Sequence, residues 1–305
     1  MISTYALALG AAHDAASGQH YPPGALYVVA TPIGNLADIT LRALHVLNIA
    51  QTIAFEDTRH TQALLRAYGI DKTASQLLAV HQHNEAEAAQ TVMDRLRQGE
   101  RVAYASDAGT PAISDPGARL VAAVRAQSLP VVPLPGASSV TAALSVAGIA
   151  GEGAQHGEFV FVGFLPAKTN ERATAVQALS QESRAVVMLE APHRIEALAT
   201  ALAVLGERSL TIGRELTKQF EEIATLSATA FPAWLGSCAN RCRGEFVLVL
   251  HPTPVAAESG HDLRVLKLLL AELPLKTAVK LTTDITGASR NVLYDAALAM
   301  KKDKV

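Results

Sequence analysis

The chain has 305 residues, half of them hydrophobic and 18% charged, with 26 basic against 28 acidic side chains and a net charge of −2. That length accommodates two domains or one large one, and the near-neutral balance excludes a chain held to nucleic acid by bulk charge alone. No apolar run reaches the roughly 18 residues of a membrane span. The two cysteines, Cys238 and Cys242, make no disulfide framework in a chain this long, which points to a reducing, cytoplasmic setting. With His251 they also fall short of the four ligands of a structural zinc site, so no metal is expected.

Residues 1–23 contain no Lys or Arg and so lack a secretory n-region; they read as a disordered leader. Leu26 to Ala30 is a short apolar strand running into the turn Thr31-Pro32-Ile33-Gly34-Asn35. A helix follows, with Asp38 as its cap and Leu41, Leu44 and Leu47 at helical spacing. The turn's lone glycine makes neither a dinucleotide fingerprint nor a Walker loop. Ile53-Ala54-Phe55 is the next strand and ends in Glu56-Asp57-Thr58-Arg59-His60-Thr61. The helix after it turns Leu64, Leu65 and Tyr68 inward and closes at Gly69. Leu77 to Val80 leads to His81-Gln82-His83-Asn84-Glu85, where Asn84 caps a helix carrying Val92, Met93 and Leu96. Capping explains Asn84 and Thr58. It does not explain histidine, arginine and carboxylates crowding two strand ends, which mark a polar active-site wall.

Arg101 to Ala105 is a buried strand, and the loop Ser106 to Gly117 behind it exceeds the roughly 2–6 residues a βα connection needs. Gly109 and Gly117 permit positive φ or close approach, Pro111 and Pro116 stiffen the turn, and Asp115 caps a helix with Pro116 in its first turn. Such a loop holds a ligand largely with backbone groups, at the end of the sheet where ligands bind. Val131 to Leu134 ends in Pro135-Gly136-Ala137-Ser138-Ser139, small residues that let a ligand or backbone approach. Further strands are expected at Phe159–Val162, Ala185–Leu189, Leu210–Ile212 and Gly244–Leu250, with helices from Thr169 to Ser180 and from Pro192 to Leu205. Gly151 to Gly157 is the softest stretch. Past Pro252 and Pro254 the pattern changes to three short helices, Leu263–Glu272, Lys276–Ile285 and Ser289–Met300. Their expected shared core is Leu266, Leu269, Leu281, Ile285, Val292, Leu293 and Ala296. From residue 261 to the end, eight basic residues face five acidic ones, a basic segment on an acidic body that suits a polyanionic partner.

These elements define an α/β fold. Its parts are an N-terminal α/β domain over 24–136, a C-terminal α/β domain over 137–252 with some antiparallel strands, and a helix-turn-helix-like appendage over 255–305.

Several motifs together resemble one family: Ala30 to Thr40, Glu56-Asp57-Thr58-Arg59, Ser106 to Gly117, Pro135 to Ser139, Glu190-Ala191-Pro192-His193-Arg194, Arg214 to Lys218, and Gly244-Glu245. The sequence is similar to the ribosomal RNA small-subunit methyltransferase I family, within the tetrapyrrole-methylase superfamily, from about Ala25 onward. The resemblance implies two α/β domains with S-adenosylmethionine (SAM) in the cleft between them. It also implies a homodimer acting on the ribose 2′-hydroxyl of a decoding-centre cytidine in 16S rRNA. Carried over position by position, it assigns the donor to Pro32, Ile33, Gly34, Asp107, Ala108, Gly109, Thr110, Ile113, Ser138, Ser139, Glu190 and Ala224. Here Ala108-Gly109-Thr110-Pro111 stands where the superfamily has Gly-Gly-Asp-Pro, with Asp107 one step earlier as the replacement carboxylate. Arg214 stands where many relatives have lysine, keeping the charge.

Methyl transfer from a sulfonium is an in-line displacement needing no metal, so orientation and a proton acceptor are what the protein must supply. The candidates for that acceptor are Asp57, His60, His81, Glu85 and Lys218. Glu56, Arg59, Arg194 and Arg290 are the residues expected to contact the substrate, with Glu56, Asp57, Arg59 and His60 facing the acceptor ribose. Two other readings stay open: a SAM-dependent methylase of a small molecule such as a porphyrinoid, and a non-enzymatic RNA-binding factor on the same fold.

Overall fold

The computed structural model describes residues 5, 7–81, 84–115, 117–149, 157–253 and 259–302. Its first element departs from the expected leader. Leu7–Ala16 forms a helix, α1, that buries Ala12 and Ala16 completely or nearly so. The run of alanines favours helix, and its small side chains let α1 lie close on the next helix. Residues 1–4 and 6 lie outside the described residues.

Strands β1 (Leu26–Val29), β2 (Thr52–Phe55), β3 (Leu77–Ala79), β4 (Val102–Ala105) and β5 (Val131–Leu134) form one parallel sheet in the order β3-β2-β4-β1-β5. Helices α2 (Leu41–Ile49), α3 (Thr58–Ala67), α4 (Glu85–Arg97) and α5 (Gly117–Ala126) cross between them. All residues of β2 and β4 are buried, as a sheet covered on both faces requires. Parallel strands bring all five carboxyl ends to one edge, so the polar runs after β1, β2, β4 and β5 become neighbours.

Local caps refine the expected ones. Asp38 does not cap α2; it lies in a short 3-10 turn, Leu36–Asp38, capped by Asn35. Thr40 is the cap, its Oγ1 accepting from the Ala43 N–H at 3.1 Å, because the extended residue directly before the helix is the one that meets the free N–H groups. Asn84 sits at the cap position of α4 but bonds backward: it donates to the Ala79 carbonyl and accepts from the His81 N–H, fastening the exit of β3. Asp115 does serve α5, accepting from the Gly117 N–H at 2.8 Å; Pro116, Gln82 and His83 lie outside the described residues.

The second sheet is mixed, in the order β6-β7-β10-β8-β9. It contains α6 (Ser139–Val146) packed on one face, then β6 (Phe159–Phe164), α7 (Thr169–Ser180), β7 (Ala185–Glu190), α8 (Ile195–Leu202), β8 (Ser209–Arg214), β9 (Glu222–Ser227), α9 (Phe231–Gly236) and β10 (Phe246–Leu250). β6 and β7 are parallel, whereas β10 runs antiparallel to β7 and β8, and β9 to β8. Antiparallel strands were expected here; β9, polar and half-exposed, was not. Residues 150–156, which include all of the soft stretch but Gly157, are outside those described. One face of this sheet packs under α7, α8 and α9 with Met188, Leu210, Ile212 and Phe246. The other carries Val187, Val247 and Val249 against α6 and meets Ile33 of the first domain.

Helices α10 (Ser259–Glu272), α11 (Leu275–Thr286) and α12 (Arg290–Lys302) form a separate small core. Leu266, Ala278, Val279, Leu293 and Ala297 are buried at its centre, with Leu269 and Ala296 against them. Leu281, Ile285 and Val292 were expected inside but are exposed, because the inward stripe of α11 runs Ala278-Val279-Thr282 and that of α12 Leu293-Ala297.

Candidate functional site

The loop after β4 is fastened to the turn after β1 by a two-way backbone bridge. The Thr31 N–H donates to the Gly109 carbonyl at 2.9 Å and the Gly109 N–H to the Thr31 carbonyl at 3.1 Å. Gly109 has φ +83°, and a Cβ there would sit 3.2 Å from Ile33 Cγ2, so glycine answers both the backbone and the space. Thr31 is buried and donates its hydroxyl to the Ser106 carbonyl at 3.0 Å. Thr110 reaches across to the Ala137 carbonyl at 3.0 Å, tying the loop to the run after β5. Asp115 closes the loop on itself, accepting from Ala112 N–H at 2.8 Å, Gly117 N–H at 2.8 Å and the Tyr104 hydroxyl at 3.0 Å.

This frame walls a cavity of about 210 Å³ between the two α/β domains. The first domain contributes Glu56 and Ser106 to Thr110, with Ile113, Ser114 and Asp115; the second side is Ser138, Ser139, Val140, Phe161 and Leu189. Five expected donor-binding loop positions and both serines are therefore brought together. A second cavity of about 250 Å³ adjoins it, sharing Ser106 and Asp107 and lined also by Pro32, Gly34, Leu36 and His60. Ile33 lies between the domains against Gly109. Lys218 comes to the same place from the loop after β8: a Cβ on Gly34 would clash with Lys218 Cγ.

Two expected donor residues are not brought here. Strand alternation puts Leu189 on the cavity face of β7 and Glu190 on the opposite one. Glu190 is buried against Arg194, whose Nε lies 3.1 Å from Glu190 Oε1 without the alignment of a hydrogen bond. Arg194 also donates to the Leu165 carbonyl, so this pair fastens α8 to its sheet and neither residue lines the cleft. Ala224 pairs with Ile212, which faces the α8 side, so Ala224 shares that face rather than the cavity's. A register one residue off turns a side chain to the wrong face of a sheet.

The polar cluster after β2 divides by role. Asp57 caps α3, accepting from the Arg59 N–H at 2.7 Å, and pairs with the Arg59 guanidinium at 3.2 Å; those hydrogen bonds hold its carboxyl at about 2. Arg59 is almost fully exposed at the rim. His60 Nδ1 lies 3.6 Å from Asp107 Oδ2, and Asp107 Oδ1 accepts from the Asp57 N–H at 3.0 Å. Glu56 differs: burial first, then the carboxylates of Asp107, Asp115 and Asp57, hold its carboxyl above the ordinary range. Tyr104, buried beneath it and donating to Asp115, is raised likewise.

The remaining candidates are committed elsewhere. Burial alone would lower the Lys218 ammonium, but Glu215 at 2.8 Å and Glu245 at 3.2 Å outweigh it and keep the ammonium above the ordinary lysine range, which makes it a fixed cation and a poor proton acceptor. Glu85 pairs with Arg119 at 2.6 Å and His81 is exposed before α4; neither lines these cavities. Arg290 opens α12 in the helical unit, exposed. Sequence reasoning missed Phe161 and Leu189 as cavity residues, and the only available signal was their shared parity on β6 and β7. Among the described residues no group of three or more His, Cys, Asp or Glu side chains is placed to hold a metal, and no helix is long and apolar enough to cross a membrane.

Comparison with known proteins agrees with this architecture. The family model of tetrapyrrole (corrin/porphyrin) methylases matches residues 25–231. A cobalt precorrin-4 methyltransferase shares the fold with TM-score 0.54 at 17% identity, over 76% of this chain and 98% of that one. A Thermus thermophilus uroporphyrin-III C-methyltransferase complexed with S-adenosyl homocysteine aligns at TM-score 0.50 and 17% identity, over 73% and 96%. The fold and its interdomain cleft thus define a methylase of the tetrapyrrole-methylase class. A model of the RsmI C-terminal HTH domain matches residues 256–301. The ribosomal RNA small subunit methyltransferase I of Pseudomonas aeruginosa is 47% identical over 281 residues, covering 90% of this chain and 97% of the relative. That of Escherichia coli O157:H7 is 44% identical over 279 residues, covering 90% and 95%. The chain belongs to the ribosomal RNA small subunit methyltransferase I family.

Proposed function

We propose that this chain transfers the methyl group of SAM to the ribose 2′-hydroxyl of a decoding-centre cytidine in 16S rRNA of the small ribosomal subunit, working as a cytoplasmic homodimer. The observation that carries the reading is the interdomain cavity built from Ser106 to Asp115 and from Ser138 to Val140. Its chemistry suits the donor. Asp107 and Asp115 complement a cationic sulfonium and ammonium, and Thr110, Ser138 and Ser139 offer hydroxyls to a ribose and carboxylate. When bound, SAM supplies an activated methyl group with its leaving group already in place. The chain's own work is to hold donor and acceptor in line, which by itself lowers the barrier by several kcal/mol, about 7–11 in well-oriented cases. Arg59 at the rim and Arg290 in the helical unit supply charge for the RNA backbone.

The test is transfer of labelled methyl from SAM to small subunits lacking the modification, with the nucleotide mapped. One ribose methylation in the decoding centre is expected. Transfer to a porphyrinoid instead, or SAM binding with no transfer to RNA, would overturn the acceptor assignment. Sedimentation of the purified chain tests the dimer.

A further inference from the structure

We propose that Glu56 is the general base that takes the proton of the acceptor hydroxyl. This rests on the methyl-transfer reading above and deepens it at the same cavity.

Four carboxylates cluster here, and three are already engaged. Asp57 caps α3 and holds Arg59. Asp107 accepts from the Asp57 N–H and faces His60. Asp115 accepts three hydrogen bonds, from Ala112, Gly117 and Tyr104. Glu56 lines the cavity, and only burial and neighbouring negative charge act on it, with no hydrogen bond or cation among the described residues. Its lone pairs are thus free for a proton that arrives with a substrate. It stands at the end of β2, beside Ser106 and Asp107, which wall both cavities. That shared wall is where a donor in one cavity and an acceptor approaching from the other would meet.

The groups facing Glu56 are Asp57, Asp107, Asp115 and Tyr104, three negative and one neutral. Burial first, then the three carboxylates, raise its proton affinity, which strengthens a base as long as it remains ionised. Two of the alternatives are poorer acceptors: Asp57 is held at about 2, and Lys218 is kept protonated by two carboxylates; His60 is turned to Asp107 and lines only the second cavity, not the one that holds Glu56. In the step, the ribose oxygen forms a bond to the methyl carbon while the carbon–sulfur bond breaks, its electron pair passing to sulfur. The hydroxyl proton moves to a Glu56 carboxylate oxygen and leaves from there to solvent. Charge and atoms balance with no further reactant.

The experiment is single-turnover methylation of small subunits by wild type, Glu56→Gln and Glu56→Asp across pH, with SAM affinity measured by calorimetry. Glu56→Gln is expected to lower the rate at saturating SAM about 100-fold, in the range general-base catalysis supplies, while SAM affinity stays within about threefold. Wild type should show an acid limb that Glu56→Gln lacks, and Glu56→Asp, which keeps the carboxylate but shortens its reach, should be intermediate. A Glu56→Gln rate within about threefold of wild type overturns the proposal, as does weaker SAM binding with an unchanged saturated rate. Should Glu56→Gln fail to fold, Glu56→Asp decides: a saturated rate within about threefold of wild type with an unmoved acid limb overturns the proposal. Wild type that binds SAM but methylates no RNA sinks the acceptor reading and this proposal together, whereas failure of Glu56→Gln to slow an active enzyme sinks only the proposal.

Discussion

Neighbouring residues of the same chemistry do different work after β2. Asp57 and Glu56 are adjacent carboxylates, yet one is neutralised by a cap and an arginine and the other is left in a buried, negative setting. Because the Glu56 pKa is raised on folding, its ionised form destabilises the folded protein. That cost is fully present above the folded pKa and disappears below the unfolded one. Glu56→Gln should therefore raise Tm at neutral pH, with the gain closing as the pH approaches about 4, read by thermal melts across pH. Glu190 carries the opposite expectation. Its carboxylate is wholly buried against Arg194 on the helix side of β7, so Glu190→Ala removes the counter-charge of a half-buried guanidinium and leaves it only the Leu165 carbonyl. Denaturant unfolding should show a loss of about 3 kcal/mol, and the folded fraction should keep wild-type SAM affinity. A selective loss of SAM binding would put Glu190 back in the donor site.

At the level of elements, the sequence was most legible where a strong period met a clear stop. The helix over Thr169–Ser180 has the bounds its pattern predicts, and the strand expected over Gly244–Leu250 starts two residues later, at Phe246, because Gly244 turns at positive φ. It was least legible where composition was bland. The alanine-rich start gave no apolar period, yet α1 packs on α2 because two alanine methyls fit a flat helix face. Burying two methyl-sized groups contributes about 1–2 kcal/mol. Deleting residues 1–17 should lower Tm by roughly 2–8 °C in scanning calorimetry, where a disordered leader would cost nothing. The strand β9 was missed for the converse reason: it is an edge strand whose burial never exceeds partial, so neither a continuous apolar run nor a clean alternation marks it.

On the scale of the whole molecule, two five-stranded sheets meet along a cleft and a three-helix unit stands apart with its own core. The proposed function divides the tasks accordingly, donor chemistry in the cleft and contact with a polyanion on the helices. Lys276, Lys280 and Arg290 are exposed on that unit. Replacing all three by alanine should weaken binding to small-subunit RNA and reduce the slope of log affinity against log salt by roughly two to three, with SAM affinity unchanged. An unaltered salt slope would remove the helical unit from the RNA interface.

The chain's motifs by themselves determined the α/β class, the appended helices and the loop from Ser106 that walls the cavity. Each of these depends on local order: apolar periods, glycines at turns and a long connection after a buried strand. Only the tertiary structure decided which side chains face the cleft. Face is set by strand parity and register, so Leu189 enters and Glu190 does not, although they are adjacent. Nor could spacing show that Asp57, Asp107 and Asp115 would each be engaged and Glu56 left free, since those partners come from separate turns that meet only when the sheet brings its strand ends together.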